Sequence, residues 1–73
     1  MSKLRIISSA SMCRLLESIG FVIIRQKGSH RFFRNADGRS TIIPVHAGDL
    51  DRSLIRKILK DIGLSIDEYN DKF

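Results

Sequence analysis

Imidazole and thiol groups, suited to acid/base or nucleophilic chemistry near neutral pH, are few in this 73-residue chain: two histidines, His30 and His46, and one cysteine, Cys13. His30 stands out by its setting. It closes the stretch Lys27-Gly28-Ser29-His30, which joins two short apolar runs, Phe21-Val22-Ile23-Ile24 and Phe32-Phe33. Gly28 can take a positive φ, so Lys27-Gly28-Ser29 reads as a tight hairpin turn. Arg25 and Lys27 precede the histidine, and Arg31 and Arg34 follow it. An imidazole among cations suits a phosphodiester. RNA carries its own nucleophile, and imidazole, whose unperturbed pKa is roughly 6.5, can take the 2′-hydroxyl proton or protonate the 5′-oxygen leaving group. Lys27, Arg25 or Arg31 could offset charge on the pentavalent phosphorus. The residues alone leave a plainer reading open, in which His30 is a polar residue at a strand start.

Other chemistries have little support. A structural zinc site needs about four Cys and His ligands, more than the chain holds. The acids are scattered, Asp37 in a turn and Asp49 and Asp51 beside a helix start, so neither a two-carboxylate glycosidase nor a carboxylate-held Mg²⁺ site is indicated. No glycine-rich phosphate loop precedes a helix. Ser29 and His30 are strand neighbours and point to opposite faces, which rules out a serine-hydrolase pair. Cys13 reads as a small buried residue on a helix. A single cysteine permits no internal disulfide, in keeping with a reducing, cytoplasmic setting. His46 reads as a loop residue after Pro44 that can hydrogen-bond the start of the following helix. No metal and no cofactor is expected.

These groups must be positioned by a single small domain spanning residues 1–73. Met1 to Ile7 reads as an extended lead-in, with Ile6 and Ile7 touching the core. Ser8 or Ser9 can cap a helix over about residues 9–19, whose Met12, Leu15, Leu16 and Ile19 fall at i, i+3, i+4 and i+7. Gly20 stops it. Strands are predicted over about 21–27, 30–34 and 39–45, separated by the Gly28-Ser29 turn and by Asn35-Ala36-Asp37-Gly38. Pro44 cannot donate to a ladder and belongs at an edge or strand end. The apolar doublets Ile23-Ile24, Phe32-Phe33 and Ile42-Ile43 suggest one face on helices and a second face only partly wet, available for contact. Asp51 or Asp49 can cap a second helix, about 52–62, carrying Leu54, Ile55, Ile58, Leu59 and Ile62. Arg52, Arg56 and Lys60 form a cationic ridge beside that stripe. Gly63 ends the helix, and Ser65 caps a short terminal turn, about 65–70.

The expected fold is therefore α+β. An α-β-β-β-α order has a three-stranded antiparallel sheet covered on one face by two helices, the arrangement of double-stranded-RNA-binding folds. The net charge of +5 is uneven: residues 1–60 hold twelve Lys/Arg against four acids, a net of +8, and residues 61–73 hold one against four, a net of −3. A basic body suits a polyanionic partner. No continuous apolar segment suggests a membrane span or a signal peptide.

Four linked features, Gly20-Phe21, Arg25-Gln26-Lys27-Gly28-Ser29-His30, Pro44-Val45-His46 and Leu54-Ile55-Arg56-Lys57-Ile58-Leu59-Lys60, resemble the HicA family of bacterial toxin–antitoxin systems. The resemblance covers roughly residues 4 to 69. It implies the double-stranded-RNA-binding-like fold and a ribosome-independent mRNA interferase with His30 as the catalytic residue, presented by the Gly28-Ser29 turn. It also implies a HicB-like antitoxin that covers the His30 hairpin. On that basis Arg25, Lys27, Arg31, Arg56 and Lys60 are candidates for holding the RNA backbone, and His46 falls on a position commonly His in the family. The alternatives are a non-catalytic RNA-binding module on the same fold, and an interaction protein whose basic surface docks an acidic partner.

Overall fold

The computed structural model describes residues 3–73. The first helix, α1 (Ser9–Ser18), begins where the Ser8 hydroxyl accepts a hydrogen bond from the Ser11 amide at 3.1 Å. That bond satisfies one of the free amides every helix start leaves. Met12, Leu15 and Leu16 are buried, with Cys13 beside them and Ile19 partly buried just past the end. The second helix, α2 (Arg52–Ile62), is capped by the Asp51 carboxylate, which accepts from Leu54 N at 2.8 Å. It buries Ile55, Ile58, Leu59 and Ile62, and each such side chain contributes about 1.5–3 kcal/mol of burial. Gly63, at φ +73°, closes it: Leu64 N donates to Leu59 O and Gly63 N to Lys60 O, the paired bonds of a Schellman motif. A short α3 (Ile66–Asn70) follows, its start held by reciprocal bonds between Ser65 and Glu68.

Three antiparallel strands, β1 (Phe21–Lys27), β2 (His30–Asn35) and β3 (Ser40–Pro44), form one open sheet in the order β1-β2-β3. Phe21, Phe33, Thr41 and Ile43 are buried beneath the helices, and the opposite face has no helix on it. Pro44 is the last residue of an edge strand, as its missing amide requires. The α-β-β-β-α order predicted from the sequence is the one observed, and the element ends differ by one residue at most.

One feature of β1 has no counterpart in the predicted pattern. Ile23 pairs with Phe33 but Arg25 pairs with Phe32, leaving Ile24 as an extra residue. A bulge of this kind sets two side chains of one strand opposite one of the other and reverses the alternation beyond it. Past the bulge, Arg25 and Lys27 therefore lie on the helix-free face and Gln26 on the helix-covered face. Without it the three would be exchanged.

The lead-in departs from expectation. Leu4 and Ile7 are buried, whereas Ile6 is 37% exposed. The cause is long-range. Asn70 accepts from the Arg5 amide and donates to Lys3 O, the Tyr69 hydroxyl donates to Arg5 O at 2.6 Å, and Leu50 N donates to Ile7 O at 2.9 Å. These bonds fix the strip so that Leu4 and Ile7 turn inward. Among the described residues no helix is long and apolar enough to cross a membrane.

Candidate active site at the first hairpin

The chain direction sends two helix starts and one turn to the same end of the molecule. Strand β1 arrives there, β2 leaves from there, and β3 returns. Lys27 pairs directly with His30, so the turn between them is two residues, Gly28-Ser29. Gly28 has φ +57°, and among the described residues none other than glycine has a positive φ. A positive φ at the first central position alone is the pattern of a type II′ turn, whose twist matches the strands it joins. Val45 N donates to Ser29 O at 2.5 Å, tying the segment after β3 to the turn.

His46 follows in that segment and corrects one expectation. It does not bond the start of α2. Its carbonyl accepts from the Ser9 hydroxyl at 3.0 Å and its amide faces the same hydroxyl at 3.4 Å, so it anchors the first turn of α1. Its ring is exposed, with Nδ1 3.0 Å from Ala47 O. An isolated bridge between Ser8 and Asp49 brings the lead-in to α1 against the lead-in to α2. Both helices thus point their positive N-terminal ends toward the hairpin end.

His30 is exposed and lies on the helix-free face, in register with Lys27 on β1 and Pro44 on β3. Two residues along β2 is Phe32, with the Arg25 guanidinium 4.5 Å from its ring centroid. Two further along is Arg34, exposed. Among the described residues Lys27, His30 and Arg34 make no side-chain hydrogen bond or ion pair. None of the strand residues is Asp or Glu. The arrangement offers an unengaged imidazole beside an unengaged ammonium, with a guanidinium one pair further on.

The remaining candidates are distributed elsewhere. Gly28 and Ser29 form the exposed turn itself. Arg31 faces the helices, its Nε donating to Gln26 Oε1 at 3.2 Å and its Nη1 3.9 Å from the buried Cys13 Sγ. Arg56 and Lys60 are exposed on α2, in the helix layer, and share no face with His30. Phe32 and Arg34 join the His30 face although neither stood among the candidates. Counting every second residue from His30 would have found them. Among the described residues, no three His, Cys, Asp or Glu side chains are grouped to hold a metal ion.

The family model for the HicA toxin of bacterial toxin–antitoxin systems matches residues 9–64. This chain belongs to the HicA toxin family. A HicA toxin is one half of a pair, and its partner is an antitoxin. The matched span contains α1, the complete sheet and α2, and with them the His30 hairpin; α3 lies beyond it. Comparison of this HicA chain with curated proteins finds no match.

Proposed function

We propose that this HicA toxin is a metal-independent endoribonuclease that cleaves mRNA in the cytoplasm, with His30 as its acid/base group. A HicB-like antitoxin silences it by covering the His30 hairpin. The observation that carries the reading is the exposed His30 ring, without an internal partner, on a face whose neighbouring charges are all positive. Neutral imidazole takes the 2′-hydroxyl proton as O2′ bonds to phosphorus; the P–O5′ bond breaks, and the leaving oxygen gains a proton. Imidazolium can supply that proton, so one ring in its two charge states serves either transfer. Lys27 and Arg25, on the same face as the ring, offset the negative charge that grows on the phosphorus oxygens. Gly28-Ser29 presents the ring. Arg31, Arg56 and Lys60 lie off this face and add to the field that draws in a polyanion.

The test is incubation of the purified protein with RNA in excess EDTA, beside His30→Ala. Cleavage that survives chelation and disappears in the variant is expected. RNA binding by both proteins with cleavage by neither assigns the chain instead to a non-catalytic RNA-binding module. For the partner, hydrogen exchange of the toxin–antitoxin complex should slow at residues 27–30. A complex that leaves His30 open contradicts the proposed mode of silencing.

A further inference from the structure

The helix-free face extends well beyond the residues that the proposed reaction uses. Along β2 it presents His30, Phe32 and Arg34, every second residue, over roughly 13 Å. The β1 bulge brings Arg25 over the Phe32 ring at 4.5 Å and leaves Ile24 on the same face. Val22 is 60% exposed, Ile24 56% and Ile42 41%, an aliphatic floor on both sides of Phe32. No acid interrupts the strands.

This composition discriminates between ligands. Unpaired bases stack on aromatic rings and guanidinium planes, while their phosphates seek cations. A duplex hides its base faces and has no use for an apolar floor. An acidic protein surface could cover the same floor, but the row runs from Arg34 to the one imidazole on the face, and its centre is a cation–aromatic stack. Both features favour a strand of RNA.

We infer that an unpaired RNA segment lies across the open face of the sheet, one base stacked at Phe32 and Arg25 and one phosphate at Arg34, and that this track delivers the scissile bond to His30. The inference rests on His30 being the cleaving residue. It adds that the toxin requires its RNA unpaired, and it gives the β1 bulge a role in binding.

The experiment uses the His30→Ala protein, which leaves RNA intact, and reads fluorescence anisotropy of a labelled unstructured oligonucleotide and of a duplex of the same composition. Tighter binding of the unstructured RNA is expected. Phe32→Leu, which keeps an apolar side chain in place, should weaken it by about 5-fold or more. Arg34→Ala should lower the slope of log affinity against log salt by about one. Arg14→Ala, on α1, should change neither, and melting temperatures serve as the folding control. Duplex bound as well as unpaired RNA, or indifference to both Phe32→Leu and Arg34→Ala, overturns the track. So does a face whose variants lose antitoxin but not RNA. Cleavage that persists in His30→Ala is a separate failure: it removes the catalytic reading, and the same binding comparison is then read on 2′-deoxy-substituted oligonucleotides, which lack the attacking hydroxyl and stay intact.

Discussion

The two ends of this molecule are built from similar short turns and use their polar side chains in opposite ways. At the far end, Asn35-Ala36-Asp37-Gly38-Arg39 is occupied with the fold. Asn35 Nδ2 donates to Ile19 O at the end of α1, and Arg39 Nη1 donates to Ile62 O at the end of α2. One turn thus serves the free carbonyls of both helices, and the Arg39 cation stands at the negative end of α2. Asp37 in turn holds Arg39, accepting from its Nε at 2.8 Å and from its backbone amide at 3.0 Å. At the near end, the Lys27 and His30 side chains hold nothing among the described residues, although two helix starts and a third strand converge around them. Polar groups turned inward stabilise; polar groups left free at a converging end are available to a ligand.

The sharpest way to break this comparison is to remove one side chain from each end. His30→Ala should reduce RNA cleavage by at least about 100-fold, the usual worth of a general acid or base, with no change in melting temperature. Arg39→Ala should do the reverse. It leaves an α2 carbonyl without its charged donor and uncovers the Phe21 ring, whose centroid lies 5.2 Å from the guanidinium. Loss of such a bond costs about 1.5–3 kcal/mol, measurable by urea melts, while cleavage per folded molecule stays as it was. If Arg39→Ala lowered specific activity at unchanged stability, the division between the ends would be wrong.

That division was only partly legible from the residues. Helix stripes, caps and both turns announced themselves, because periods of 3.6 and 2 and the glycine positions are local properties. The pairing of His30 with Lys27 follows from the two-residue turn, but the placing of that pair, with Arg25, on the helix-free face was not legible. It depends on the bulge at Ile24, and Ile23-Ile24-Arg25 contains no glycine to mark one. Simple alternation would send Arg25 and Lys27 to the helix side, where Gln26 instead meets Arg31. The burial of Leu4 in place of Ile6 was illegible for a related reason, since Tyr69 and Asn70, more than 60 residues on, decide it. His46 looked forward in sequence to α2, yet its partner, Ser9, lies behind it on α1. The resemblance to HicA carried His30 across this gap by its motif; it did not carry the geometry.

Glycine substitutions sharpen the comparison at the backbone. Gly20, at φ +95°, has Asn35 Nδ2 3.2 Å from where a Cβ would stand, so Gly20→Ala combines strain with displacement of the amide that caps α1. Gly28 has nothing within 4 Å. Gly28→Ala should therefore cost only the left-handed backbone penalty, about 1–2 kcal/mol, and less than Gly20→Ala in the same urea series. Its cleavage should fall further than its stability predicts, because the turn orients His30. Equal stability losses at the two sites would mean that the far turn does not carry the capping assigned to it.

The smallest effect is a pH dependence confined to the far end. Its hydrogen bonds to the Arg39 backbone amide and side chain hold the Asp37 carboxyl below the ordinary carboxylate range. A depressed folded-state pKa means the stabilising contribution is complete above the unfolded value, about 3.9, and is lost as pH falls through the lower folded value. Asp37→Asn removes that linkage and keeps an oxygen for the Arg39 amide. The gap in stability between wild type and Asp37→Asn should be widest near neutrality and close as the pH drops below about 4. Glu68 is held down in the same direction by Ser65 at the start of α3, so Glu68→Gln should repeat the trend there. A gap that widened on acidification would show that Asp37 is not what Arg39 leans on, and that the α2 end is held by the Ile62 carbonyl bond alone.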